Sequence, residues 1–197
     1  MNSPPAVDPI TWRDGWYAFA RRCDSPNFGP RPKDVAVDLV VLHSVSLPPG
    51  EYGGDAVQQL FCNTLDWNAH PYFKQMEGLQ VSAHFFIQRG GELWQFVSCD
   101  DRAWHAGQSR FGERSNCNDF SIGIELEGLE GNTFEQPQYE TLLALLPAIA
   151  GHYPVAHIAG HEHIAPGRKS DPGPGFDWDY LRNRCGFLPP YFPDKHM

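Results

Sequence analysis

Side chains able to bind a metal or stabilise charge crowd into one stretch, GHEHIAPGRKSDPGPGFDW at 160–178, among them His161, His163, Arg168, Lys169 and Asp171. Three prolines and four glycines in the same stretch leave little room for a regular helix or a central strand. Such a backbone suits a metal, because ligands held on stiff chain need not be ordered anew at each binding event. Two histidines and one carboxylate would leave zinc a fourth position for water, which is the catalytic rather than the structural arrangement. Within the loop, His161 and His163 compete: on an extended segment they face the same way, so spacing alone does not choose. A further ligand is His43, where the apolar run VDLVVLH gives way to a Pro/Gly loop. In open α/β sheets ligands gather outside the carboxyl ends of strands, which makes this a favourable address. For any one histidine the bland reading, a capping or hydrogen-bonded ring, prevails; only the combination points to a metal. His157, His84 and His105 are better read as core or neighbouring histidines.

Lys169 stands two residues before Asp171, so on an extended segment both project to one side. A lysine there could stabilise the oxyanion that develops when a carbonyl is attacked; its bland reading is a solvated lysine paired with a carboxylate. In SIGIELEG, 121–128, Glu125 and Glu127 share one face of an alternating strand. Two glutamates on one face of a central strand are costly unless paired, exposed in a cleft or employed, and one of them could serve as general base. The plain alternative is a salt-bridged strand edge. There is no HExxH, CxxC or GxSxG.

The elements that must position these groups follow from the pattern. VDLVVLH, 37–43, reads as a buried strand. SLPPGEYGG is a loop, and DAVQQLFCNTL is helical with Asp55 near its N-cap. VSAHFFIQ (81–88) and ELWQFVS (92–98) flank RGG as a hairpin. SIGIELEG is the clearest strand. A short helix is expected around Arg13–Arg22, and an amphipathic helix from Thr133 to His152 that Pro147 must kink or shorten. Residues 1–10 read as a flexible lead, and the chain ends in a tail, LPPYFPDKHM. The fold expected is α/β: a single domain with a central mixed β-sheet flanked by helices, over 13–182, with terminal extensions at 1–12 and 183–197.

Length and charge bound the rest. A chain of 197 residues fits one domain and can bury a core without a disulfide or metal to hold it. The net charge of −9, with no basic run longer than a pair, argues against nucleic acid as a partner. No run is long and apolar enough to span a membrane, and the N-terminus has neither the basic nor the apolar region of a secretory signal. The 5 cysteines are odd in number and widely spaced, which argues against a disulfide framework and for the cytoplasm.

Taken together, VLHSVSLPPGEYGG, NAHPYF, VSAHFFI, RAWHAG, CNDFSIGIELEG and GHEHIAPGRKSDPGPGFDW carry a resemblance. Over roughly 13–182 the chain resembles the AmpD-type cytoplasmic 1,6-anhydro-N-acetylmuramyl-L-alanine amidases, within the zinc amidase and peptidoglycan-recognition fold. That resemblance implies Zn²⁺ on His43, His161 and Asp171, with His163 demoted because the family commonly has Asn or Asp there. It implies Glu125 as the proton-transferring glutamate, Lys169 as oxyanion stabiliser, and Tyr72 and Trp104 as walls of the muropeptide groove. The substrate implied is an anhydromuropeptide, cleaved between the muramyl lactyl group and L-alanine during cell-wall recycling, by a protein expected to be a monomer. Ser44 is assigned to the substrate and stands where these enzymes usually have Asn. Gln80 and Asn116 stand where some members carry arginines for the stem-peptide carboxylates. Two rival expectations are an amidase acting on intact peptidoglycan outside the inner membrane and a binding protein without catalysis. The absence of a signal segment opposes the first. The filled ligand positions oppose the second.

Overall fold

The protein is described over residues 11–186 of a computed structural model. The lead at 1–10 and most of the expected C-terminal extension, including the LPPYFPDKHM tail, lie outside the described residues. Where a helix was expected around Arg13–Arg22 the chain instead makes an antiparallel hairpin, β1 (Trp12–Arg13) and β2 (Trp16–Tyr17), followed by β3 (Arg21–Arg22). The reason is the Asp14-Gly15 pair: both take positive φ, 51° and 73°, the two-residue turn whose twist matches the flanking strands. Trp12 emerges from this hairpin into the core, its Nε1 donating to Ala148 O at 3.1 Å.

A short strand β4 (Phe28–Gly29) pairs with β8 (Arg102–Ala103), and β9 (Arg110–Phe111) with β10 (Arg114–Ser115). The central sheet adds β5 (Leu39–Val45), β6 (Phe85–Ile87), β7 (Leu93–Gln95), β11 (Ser121–Glu127) and β12 (His157–Gly160), in the order β12-β5-β11-β6-β7-β3. Only β6 and β7, the expected hairpin, are antiparallel; every other neighbouring pair is parallel, so the sheet is mixed.

Parallel strands are buried on both faces, and Leu39 to Leu42 accordingly show no exposed surface. Val40, Leu42, Ile122, Ile124 and Leu126 pack with Leu142, Leu145, Leu146 and Ile149 of α3 (Gln136–His152). Elsewhere α1 (Ala56–Phe61) and α2 (Pro71–Lys74) enclose Phe86 and Phe96, while Leu39 and Val41 pack with Ala159 and with Ile164 of α4 (His161–Ile164). A last helix, α5 (Trp178–Arg184), closes the described fold. Asp55 does occupy the N-cap position of α1, though its side chain makes no cap hydrogen bond, and Pro147 neither ends nor shortens α3. Proline removes one helical hydrogen bond, yet the buried residues on both sides of it hold the helix through. No helix among the described residues is long and apolar enough to cross a membrane.

His84 is fully buried beside the sheet. Its Nδ1 accepts the Gly123 N–H at 3.0 Å, so its Nε2 carries the proton and donates to Asp101 O at 3.1 Å. Burial, and then the Arg31 guanidinium, push the ring down to about 3. Above the unfolded value near 6.5 the ring is neutral in both states. As pH falls from there toward 3, only the unfolded chain takes up the proton, and stability is lost. Urea denaturation at pH 7 and pH 5 is therefore expected to show His84→Gln relieved of about 2 kcal/mol of the wild-type loss between the two. Equal losses in both proteins would mean that His84 titrates normally when folded.

Candidate metal centre

The parallel strands β12, β5 and β11 run side by side, and the candidate residues sit at their carboxyl ends. Along β5 the side chains alternate, so Val40 and Leu42 meet the α3 side while Leu39, Val41 and then His43 point the other way. Parallel register sets Glu125 directly opposite His43 and Leu126 opposite Ser44. β12 ends at Gly160, opposite Leu42, and the chain turns at once into α4 with His161 as its first residue. The Glu162 N–H then donates to Asp171 O at 2.9 Å, folding the Pro/Gly loop back so that Asp171 lies against the two rings.

The condition under which His161 and His163 would face the same way, an extended segment, does not hold, because the chain makes this helical turn. At about 100° per residue, two residues apart means nearly opposite sides. His161 enters the buried site, whereas the His163 Nδ1 accepts the Gly160 N–H at 2.8 Å and its ring packs edge-on to Trp178.

His43 Nδ1 and His161 Nδ1 are 3.0 Å apart, and each is 3.1 Å from Asp171 Oδ2. The three residues are 1%, 3% and 5% exposed. Their hydrogen-bond partners decide which atoms face inward. Ser121 Oγ donates its one proton to Cys117 O at 2.5 Å, so it must accept from His105 Nε2 at 3.3 Å. His105 Nδ1 is then the acceptor for His43 Nε2–H at 2.9 Å, which leaves the His43 Nδ1 lone pair bare. His161 reaches the same state differently, its Nε2–H donating to Ala106 O at 3.0 Å. Two imidazole lone pairs and a carboxylate oxygen thus converge with no proton of their own between them. Such a donor set fits a cation, and outer partners that fix the tautomer are how metal-binding histidines are held. The charges agree. Burial pushes His43 down to about 4 despite the Asp171 carboxylate beside it.

His105 fits because β11 has a glycine beneath it: a Cβ on Gly123 would meet the His105 ring at 2.4 Å. Sequence reasoning placed His105 only as a neighbouring histidine, and Gly123, two residues before Glu125 on the same face, was the signal for a close approach.

The two glutamates separate cleanly. Glu127 is buried, with Oε1 accepting the Gly53 N–H at 2.6 Å and Oε2 the Arg89 N–H at 2.9 Å. It ties the Pro/Gly loop to the β6–β7 hairpin. Glu125, beside His43, has an Oε2 that is buried without a hydrogen-bond partner. Burial and then Asp171 push its carboxyl well above the usual value, with Lys169 pulling the other way. Lys169 itself is exposed, unlike Asp171, and its charge reaches both Glu125 and His43. Ser44 Oγ is also buried without a partner. Tyr72 lies half-buried against the cluster around Leu47 and Phe73, while Trp104 directly precedes His105 and is half-buried. Gln80 and Asn116 are exposed, the latter in the left-handed region with φ 57°. Arg168, which sequence reasoning left without a role, holds the loop by donating to Ala106 O and Gln108 O, each at 2.7 Å.

The sequence profile of the N-acetylmuramoyl-L-alanine amidases matches residues 33–174, a span that contains every residue of this centre. The chain belongs to that family. Within the amidase family it is 50% identical over 171 residues to the 1,6-anhydro-N-acetylmuramyl-L-alanine amidase AmpD of Citrobacter freundii, covering 86% of this chain and 91% of that protein. A selenomethionine AmpD derivative superposes with a TM-score of 0.85 at 50% identity, over 87% of this chain and 97% of that one. The Escherichia coli amidase AmiD, solved with anhydro-N-acetylmuramic acid-L-Ala-D-γ-Glu-L-Lys as substrate, superposes with a TM-score of 0.57 at 26% identity, over 84% and 63%. The amidase fold is therefore the α/β domain with a central mixed sheet that the sequence implied.

Proposed function

We propose that this amidase hydrolyses the amide between 1,6-anhydro-N-acetylmuramic acid and the L-alanine of muropeptides, with zinc on His43, His161 and Asp171. The observation that carries the reading is the convergence of two tautomer-fixed Nδ1 atoms and a carboxylate oxygen next to a buried, unpartnered glutamate oxygen. Three ligands of this kind match the catalytic zinc stoichiometry, and the substrate class is the one named for the AmpD and AmiD relatives. When bound there, zinc supplies Lewis acidity toward the scissile carbonyl and a nearby water.

The protein's own groups do the remaining work. Glu125, with its carboxyl shifted upward, takes the proton from the attacking water and returns it to the leaving amine of L-alanine. Lys169 brings positive charge to the oxygen that becomes negative as the carbonyl is attacked. His105 and Ser121 hold the His43 ring in place. Ser44 Oγ offers an unengaged buried hydroxyl to the substrate, and Trp104 and Tyr72 offer apolar surface to the sugar and stem. The setting is cell-wall recycling in the cytoplasm, by a monomer with no nucleic-acid or membrane partner.

The test is release of stem peptide, followed by mass spectrometry, from an anhydromuropeptide and from its reducing-sugar counterpart, with and without a chelator. Rapid, chelator-sensitive release from the anhydro form is expected. Equal cleavage of both would replace this reading with a broader wall amidase. No cleavage by zinc-loaded protein would leave recognition alone.

A further inference from the structure

Two of the five cysteines, 39 residues apart in the chain, meet in the fold: Cys23 Sγ and Cys62 Sγ are 3.0 Å apart. That is closer than two sulfurs sit in ordinary contact. The contact is also held in place from both sides. Cys23 N–H donates to Gln95 O at 2.9 Å, fixing the residue that follows β3, and Cys62 N–H donates to Gln58 O at 3.0 Å, closing α1. Next to the sulfurs, Ser25 Oγ donates to Phe61 O at 2.5 Å, and Asn27 and Asn63 exchange side-chain hydrogen bonds at 2.8 and 2.9 Å. Segments 23–27 and 61–63 are therefore locked together around the thiols without the help of any covalent bond. Both cysteines are partly exposed, whereas Cys99, Cys117 and Cys185 are buried.

The geometry points to Cys23 and Cys62 as a site of reversible disulfide formation, oxidised by a low-molecular-weight disulfide such as oxidised glutathione. The Cys23 thiolate attacks one sulfur of the reagent, expels one thiolate and forms a mixed disulfide. Cys62 then attacks Cys23 Sγ, forming the internal bond and expelling the second thiolate. Two protein thiols lose two electrons and two protons, and one reagent disulfide becomes two thiols. Burial and the neighbouring Cys23 push the Cys62 thiol up to about 12; the part owed to Cys23 disappears once that sulfur is in the mixed disulfide, which eases the second step. Partly exposed pairs of this kind are the labile, regulatory sort. The covalent ring that closes contains β5 with His43 and the SLPPGEYGG loop, so it cinches the segment on which the metal centre depends.

The zinc-loaded full-length protein, incubated with oxidised glutathione and then mapped by peptide mass spectrometry without reduction, provides the test. The expected result is one Cys23–Cys62 link with Cys99, Cys117 and Cys185 still free, and a thermal midpoint raised by about 5–12 °C. Dithiothreitol should reverse the rise, and Cys62→Ser should show none. A lasting glutathione adduct on Cys23, five free thiols after treatment, or a link that leaves the midpoint unchanged or lower would overturn the inference.

Discussion

Glu125→Gln is expected to lower anhydromuropeptide turnover by about 10²-fold or more, the loss typical of a general base, with zinc content unchanged and the thermal midpoint not lowered. The amide has the same shape but cannot take a proton from water. Little structure should be lost, because the buried Oε2 makes no hydrogen bond that the fold relies on. Its neighbour two residues on provides the contrast. Both Glu127 oxygens accept backbone N–H groups, so Glu127→Gln would turn a donor against one of them. Such a buried mismatch costs roughly 1–3 kcal/mol, and the damage should appear as a lower midpoint. Stem-peptide release, metal analysis and thermal melts on the two variants separate the cases. A Glu125→Gln protein that keeps full activity beside a stable, inactive Glu127→Gln protein would reverse the assignment.

His161→Ala is expected to empty the metal site and abolish turnover, a larger effect than the ~10–100-fold typical of losing only an outer partner of a ligand. His163→Ala should keep its zinc. Its Nδ1 serves the Gly160 N–H at the start of α4, so the variant should lose about 1 kcal/mol of stability, as for a helix cap. Zinc measured per chain after dialysis decides between them. A metal-free His163→Ala protein with a loaded His161→Ala protein would place the ligand on the wrong residue.

Four of the six strands of the central sheet, β5, β6, β7 and β11, were legible as continuous or alternating apolar runs such as LVVLHSV and SIGIELE, whereas the short β12 was not read and β3 fell within the expected helix. The choice within each pair of candidates was not legible. His161 and His163 differ only because a helical turn begins at residue 161, and four residues carry no periodicity to announce it. Glu125 and Glu127 share a face of β11, and what separates them is two backbone N–H groups, Gly53 and Arg89, that arrive from elsewhere in the chain. The resemblance picked one from each pair where periodicity could not. The N-terminal hairpin was misread for a different reason: the spacing of TWRDGWYAF allows a helix, while Asp14-Gly15 supplies a turn of the right hand. For the relay through His105 and Ser121 the sequence carries only the glycine at 123 as a sign of close approach, since the links join residues 62 and 16 apart.

The strand order bears on how the protein is made. β5 is hydrogen-bonded on one side to β11 and on the other to β12, both of which leave the ribosome long after it. Until then LVVLHSV is an unpaired apolar strand with two open edges, the type of segment that nascent chains must be guarded against sticking by. Distant parallel pairings of this kind also slow folding. His43 and Asp171 lie 128 residues apart, so a growing chain carries His43 and Glu125 well before the three candidate ligand residues can meet. Capture of the proposed zinc would thereby be deferred until the sheet is complete.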